Sequence, residues 1–263
     1  MKNKELYLYI KVYKFFLSLI EKNNVKLSNV YIRTDQEDNI FKGFEIAFSG
    51  FCTVTHNYCK RHFTESLKNN LRTKGNLAWI TYGRNLYNPD FSIFYQKIKL
   101  LGLLPHFLII EMKEFLIMEL MTKFDAPAFV TYVRQKITAD FALRLSYYKI
   151  IKESGTYIHC TTNSAESQNS ILNRFLNSLS KSSKLITILR NSRTFFTSEY
   201  RLSENQWQKQ IADYKPSAEA SLNFSRSKAF ISAIDKTSLK PHAKTLKKIS
   251  KLMDPNNFYS VNK

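Results

Sequence analysis

Three groups of residues carry the types and spacing that chemistry needs. The first is Thr34-Asp35-Gln36-Glu37, directly after the β-branched and aromatic run Val30-Tyr31-Ile32. A carboxylate at the carboxyl end of a strand stands where open α/β sheets place ligands and catalytic groups, so Asp35 is a candidate metal ligand. The stronger reading on pattern alone is that it caps a following helix, with Asp38 in the first turn. The second group is Thr161-Thr162-Asn163-Ser164-Ala165-Glu166-Ser167-Gln168-Asn169. Asn163 and Glu166 are spaced as a helix cap and its third residue, yet Glu166, Asn169 and Asn173 also form one polar stripe beside the apolar Ala165, Leu172, Phe175 and Leu176. A carboxylate at the edge of a buried face can hold a cation. The third group is Cys52, His56, Cys59 and His62, four soft ligands that suggest zinc. Structural zinc sites usually draw on two arms about 12 or more residues apart, so buried thiols and imidazoles that fix a loop are the alternative. No phosphate loop, dinucleotide fingerprint or Ser-His-Asp order is present.

Helices and strands must position these groups. Leu6, Ile10, Tyr13, Phe16, Leu17 and Ile20 recur at three and four residues and predict a helix over 5–22. A strand at Val30-Tyr31-Ile32, a helix over 36–48 closed by Ser49-Gly50, a strand over 51–55, a link over 56–59 and a helix over 61–71 follow. That alternation predicts parallel strands covered by helices. From 75 to 155 the pattern turns helical, with helices expected over 91–100, 107–121, 127–136 and 139–152. An extended piece over 156–160 and helices over 164–179 and 185–210 come next, and 214–224 reads as polar and turn-rich. The last 39 residues hold nine Lys and Arg against Asp235 and Asp254, and Leu246, Ile249 and Leu252 predict a basic amphipathic helix there.

The 263 residues carry 40 Lys and Arg against 21 Asp and Glu, a formal charge of +19, with 44% hydrophobic residues and only 6 Gly and 6 Pro. This excludes a disordered tail, a collagen-like chain and a disulfide-stapled miniprotein. The charge suits a polyanionic partner, although the abundance of Lys, Asn, Ile, Phe and Tyr is also what AT-rich coding DNA produces. Three cysteines, Cys52, Cys59 and Cys160, point to a reducing compartment, nucleus or cytosol, rather than secretion. Lys11 and Lys14 interrupt the first apolar run, and Glu111, Lys113, Glu114 and Glu119 interrupt the other long one, so no membrane span is expected.

Val30 to Glu37, then Cys59-Lys60-Arg61-His62, then Thr161 to Asn169 resemble, in that order, the DDE core of Mutator-like element (MULE) transposases, over roughly residues 4–195. The resemblance implies an α/β chain with a partial ribonuclease H-like fold in 1–195, an all-helical insertion at about 75–155, and a helical basic C-terminal tail over 196–263. It implies three carboxylates that hold two Mg²⁺ or Mn²⁺ ions for phosphodiester cleavage and strand transfer. Asp35 corresponds to the second Asp, Glu166 to the final Glu, and Cys59 and His62 to the family's C-x-x-H element. The family's first Asp lies on an opening strand ahead of the helix that matches 5–22, where this chain starts, so the expectation is a truncated transposase without strand-transfer activity.

Other functions stay open: an active enzyme whose opening strands are encoded upstream, a domesticated non-catalytic DNA-binding protein, or a decayed product without a selected role. DNA is the expected partner, with Lys60, Arg61, Lys244, Lys247, Lys248 and Lys251 as candidate contacts. No membrane and no small-molecule substrate are expected, and self-association is open.

Overall fold

Residues up to Tyr58 build one β-α-β crossover with a helix laid beside it. The computed structural model describes residues 6–22, 24, 26–36, 38–73, 81–82, 85–86, 89–123, 126–154, 216–237 and 239–260. Helix α1 is Leu6–Lys22, strand β1 Asn29–Thr34, helix α2 Asp38–Phe48 and strand β2 Thr53–Tyr58. β1 and β2 pair in parallel, from Asn29 opposite Thr53 to Thr34 opposite Tyr58. Parallel neighbours need a crossover, and α2 supplies it. Gly50 takes a left-handed φ of 78° after α2, the expected role of a glycine past a helix end. Phe44, Ala47 and Phe48 of α2 are buried, and Tyr13, Leu17 and Ile20 of α1 pack on them together with Val30, Ile32 and Val54 of the strands. The two helices touch closely: a Cβ at Gly43 would lie 2.5 Å from the Cβ of Tyr9.

The second apolar cluster is helical. It gathers α3 (Lys60–Thr73), α4 (Pro89–Leu100), a 3-10 turn at Leu101–Leu103, α5 (His106–Met121), α6 (Pro127–Lys136), α7 (Ala139–Leu145) and α8 (Tyr148–Glu153). Phe63, Leu67 and Leu71 line one face of α3, and Leu108, Ile109, Met112, Leu116 and Leu120 line α5. Pro127 opens α6 and the Thr138 hydroxyl accepts the Phe141 N–H at the start of α7, so both starts follow from local chemistry. Lys113 is buried within α5, where its ammonium donates to the Ile137 carbonyl at 3.1 Å and pairs with Glu114. No helix among the described residues is long and apolar enough to cross a membrane.

The described part is therefore α/β: mostly helical, with a small parallel sheet. Several element bounds differ from the sequence reading. β2 continues through His56, Asn57 and Tyr58, which read as a link, because their polar side chains all find partners: His56 on Thr34 of β1, Asn57 on the Ser146 carbonyl and Tyr58 on Asp38. The helix expected over 139–152 breaks at Ser146 and Tyr147. There the Tyr147 N–H donates to the Gly102 carbonyl at 2.7 Å and the Ser146 hydroxyl to the Leu104 carbonyl at 2.7 Å, which replaces helical bonds with tertiary ones. The helical stretch after Gly75 also holds a short antiparallel pair, β3 (Thr81–Tyr82) with β4 (Asn85–Leu86).

Helix α9 covers Ala218–Asp235, where 214–224 read as turn-rich; Ser217, within that span, accepts the Ala220 N–H and starts the helix. The elements expected over 156–160, 164–179 and 185–210 lie outside the described residues. The expected basic helix is α10, Ala243–Leu252, with Leu246 and Ile249 buried, and α11, Pro255–Ser260, follows. Residues of the stretch set apart as a tail, Phe230, Ile231, Ile234, Leu246, Ile249, Met253 and Phe258, join the same core as α3 to α8. Contacts divide the chain into Met1–Thr161 with Asn223–Lys263, and Thr162–Leu222. Of the latter only residues 216–222 are described.

Gly43→Ala tests the α1–α2 seat. Alanine gains about 1 kcal/mol over glycine in a helix interior. The clash with Tyr9 reverses that sign, and a net loss of about 1–3 kcal/mol is expected from a lower urea midpoint at constant slope. A raised midpoint would show that α1 does not sit this close to α2.

Candidate functional site

Because β1 and β2 are parallel, both end at the same edge of the sheet. The Cys59 N–H, one residue past β2, donates to the Thr34 carbonyl at 2.8 Å. This bond brings Asp35 and the Cys59-Lys60-Arg61-His62 segment to one place, although they are separated in sequence by the whole of α2 and β2. α2 starts at Asp38, three residues past Asp35. Asp35 is half-buried. Tyr13 of α1 is near enough to sense it: burial, then the neighbouring Tyr9, then the Asp35 charge hold the Tyr13 phenol above its ordinary pKa.

Thr34 is buried and bonds in two directions. Its hydroxyl donates to the Asp35 main-chain carbonyl at 2.6 Å and lies 2.8 Å from Nε2 of His56. A hydroxyl has one proton, so Nε2 must donate to Thr34, which fixes the tautomer of His56 and leaves Nδ1 as a bare acceptor. Nδ1 is buried and has no hydrogen-bond partner. The ring stacks on Phe41 with centroids 4.0 Å apart. Burial first, then the Arg144 charge, lower the His56 pKa to about 4 against a smaller opposing effect of Asp38.

A polar cluster unseen in the sequence reading adjoins this edge. Arg144 of α7 reaches Oδ1 of Asp38 at 3.3 Å and the Tyr58 hydroxyl at 3.1 Å, and Tyr58 donates to the same Asp38 oxygen at 3.0 Å. Asp140 lies 3.5 Å from the other side of the guanidinium. Burial raises the Tyr58 pKa, Arg144 opposes the rise and Asp38 adds to it. Asn57, buried in β2, donates to the Ser146 carbonyl at 2.9 Å and the Arg144 carbonyl at 3.3 Å. Arg33 donates to the Tyr147 hydroxyl at 3.2 Å, and that hydroxyl donates to the Tyr58 carbonyl. A cavity of about 520 Å³ opens beside the cluster, lined in part by Tyr31, His56, Asn57, Asp140 and Arg144.

No family model matches the chain, and no curated protein or solved structure is significantly similar to it. The site therefore stands on its own residues. Glu166 and the segment from Thr161 to Asn169 lie outside the described residues, so the two candidate carboxylates are not seen together. Among the described residues no three His, Cys, Asp or Glu side chains form a group that could hold a metal ion. Cys52, His56, Cys59 and His62, all described, do not make the zinc site that their types suggested. His56 is taken up by Thr34 and Phe41, and Cys59 is fully buried.

The candidate DNA contacts fall on two surfaces. Lys244, Lys247, Lys248 and Lys251 are all exposed on α10, opposite its buried Leu246 and Ile249, as the three-and-four spacing requires. Lys60 and Arg61 open α3. Lys60 and Lys68 also depress the pKa of Lys99, after burial, which marks a cluster of three positive charges on α3 and α4 that the motif reading missed. Only the four-residue spacing of Lys60, Thr64 and Lys68 along α3 hinted at it. For Asp38, Tyr58 and Arg144 no local pattern exists, since their contacts join α2, β2 and α7.

His56 gives a pH test. Its folded pKa, about 4, lies below the ordinary value of 6.5, so the unfolded chain binds the proton first as pH falls. Its contribution is fully present above about pH 6.5 and is lost between there and pH 4, on the order of 2 kcal/mol. Thermal melts at pH 7.5 and pH 5 should show a steeper drop for the natural chain than for His56→Gln. Equal slopes would mean that His56 is not held neutral.

Proposed function

We propose that the chain derives from a DDE-type MULE transposase core with a partial ribonuclease H-like fold, that its partner is DNA in the nucleus, and that Asp35 and Glu166 are metal-binding carboxylates. The observation that carries the reading is the 2.8 Å bond from Cys59 to Thr34, with Asp35 and the C-x-x-H element at one end of a parallel strand pair. Open α/β sheets bind their ligands at that end. A half-buried carboxylate is a hard oxygen donor of the kind Mg²⁺ and Mn²⁺ accept. Those ions, when bound, activate the attacking oxygen and stabilise the leaving oxygen of a phosphodiester.

The chain's own residues have distinct parts in this reading. Asp35 and Glu166 would hold the ions. Thr34, itself fixed by His56, holds the main-chain carbonyl of Asp35, and the Cys59 bond holds the strand ends together. Lys60 and Arg61, at the start of α3 beside this edge, would meet the DNA phosphates. Titration of the chain with Mn²⁺ tests the carboxylates: Asp35→Asn and Glu166→Gln should each weaken binding about tenfold or more. If neither variant changes the titration, the assignment of both residues is wrong.

The second reading, a non-catalytic DNA-binding protein, is favoured by the exposed lysines of α10, none of which pairs with a carboxylate among the described residues. Four phosphate contacts make the logarithm of affinity fall with the logarithm of salt concentration by a slope of about 3.6. Replacing Lys244, Lys247, Lys248 and Lys251 by Gln should reduce the measured slope by about 2–4, for any duplex sequence. An unchanged slope would remove α10 from the DNA surface.

A further inference from the structure

Helix α1 carries more apolar surface than its seat on α2 uses. Tyr13, Leu17 and Ile20 face the α2 cluster, yet Tyr7, Leu8, Val12, Phe15, Phe16 and Leu19 are 39–61% exposed, and no residue of α1 is fully buried. At 3.6 residues per turn, the exposed stripe is centred about 130° round the helix axis from the α2-facing one. Lys11, Lys14, Ser18, Glu21 and Lys22 take the remaining arc. This is the pattern of a helix built to touch two neighbours and water, with only one neighbour among the described residues. A contiguous patch of this kind on a soluble chain marks an interaction surface.

We propose that the second neighbour is α1 of another copy of this chain, packed antiparallel about a two-fold axis. Leu8, Val12, Phe15 and Leu19 are spaced four, three and four, which is the seam by which two helices interlock. Antiparallel pairing sets Leu8 against Leu19 and Val12 against Phe15 of the second copy, so each seam residue meets another. It also takes the two Lys22 side chains, next in the same seam, to opposite ends, whereas a parallel pair would press them together. The flanking Lys11 then lies beside Ser18 of the second copy, with no like charge opposite it. Leu8, Val12, Phe15 and Leu19 with the flanking Phe16, each about half exposed, offer on the order of 500 Å² per copy, so about 1,000 Å² in all, the threshold of a specific interface. The contact is isologous and closes as a dimer.

The charge of +19 opposes self-association, so salt should strengthen this dimer, the opposite of any assembly bridged by nucleic acid. Sedimentation velocity of the purified chain at about 20 μM should show a dimer whose share rises between about 150 and 500 mM NaCl. Val12→Glu and Phe15→Glu should each give a monomer whose urea midpoint matches that of the natural chain at dilutions where it too is monomeric, since neither residue is in the α2 seat. Ser18→Glu places a carboxylate beside Lys11 of the second copy and should tighten the dimer about threefold or more, while Ser18→Lys loosens it to a similar degree. Ser49→Glu, with the same change in net charge in an exposed turn, should have a smaller effect than Ser18→Glu. A monomer at both salt concentrations, association that salt dissolves, association that survives Phe15→Glu, or equal effects of Ser18→Glu and Ser49→Glu would each overturn the proposal. Should either Glu variant lose its fold, the two Ser18 variants decide the outcome alone.

Discussion

The contact on which the rest of the described structure depends is the carboxamide of Asn57. It is buried on β2, and its two donors reach the main-chain carbonyls of Ser146 and Arg144 at the break between α7 and α8. On one side lies the sheet with α1 and α2 around Phe44, Ala47 and Phe48; on the other lies the larger helical core. These apolar clusters are separate, and polar bonds join them together with the ring of Tyr58 on β2, which packs on Phe141 of α7 with centroids 4.8 Å apart. Arg33 to Tyr147, Tyr147 to Tyr58, and Arg144 to Asp38 and Tyr58 all lie in the same small region as Asn57. A buried amide that lost its acceptors would leave unsatisfied donors behind, at a cost of about 1–3 kcal/mol. That makes the position of β2 against α7 specific where apolar packing alone would let it slide.

Much of the local architecture was legible in the sequence because it rests on local rules. The spacing of apolar residues in α1, the β-branched run of β1, and Gly50 after α2 each obey a short-range constraint, and together they implied the parallel pair. The break in the 139–152 helix was not legible, since its causes, Gly102 and Leu104, come from another element. The same holds for β2: His56, Asn57 and Tyr58 look like a loop by residue type, and only their distant partners make an extended, buried conformation favourable. Ser217 shows the reverse confusion, because a serine that caps a helix and a serine in a turn are the same letter.

The candidate site was legible in part. Asp35 was singled out for its place at the end of a strand, and that is where it stands. The grouping of Cys52, His56, Cys59 and His62 came from composition within a short segment, whereas Cys52 stands before β2, His56 within that extended strand and His62 on α3. Close sequence spacing of potential ligands is thus weak support for a shared ion when the backbone between them is extended. The residues that shape the edge electrically, Asp38, Tyr58 and Arg144, carry no motif at all. Their grouping depends on a fold-level contact between a crossover helix and a helix of the second core.

The break at Ser146 and Tyr147 also bears on the order in which the chain acquires its structure. The β1–α2–β2 unit closes over a short loop, and most contacts of α4 to α8 link elements that are near in sequence. The bonds of Asn57 span 87 and 89 residues, and that of Arg33 spans 114. Closing such loops carries a larger entropy cost than closing the crossover, and contacts of long sequence separation slow folding. The sheet unit and the packing of α4 to α8 are set to condense first, and the seam between them later, together with the seating of α9 to α11, whose Ser250 hydroxyl bonds to Lys97 and Glu119 across 153 and 131 residues. Reversed, these long-range contacts are the ones that a local fluctuation can break while the short-range packing stays in place.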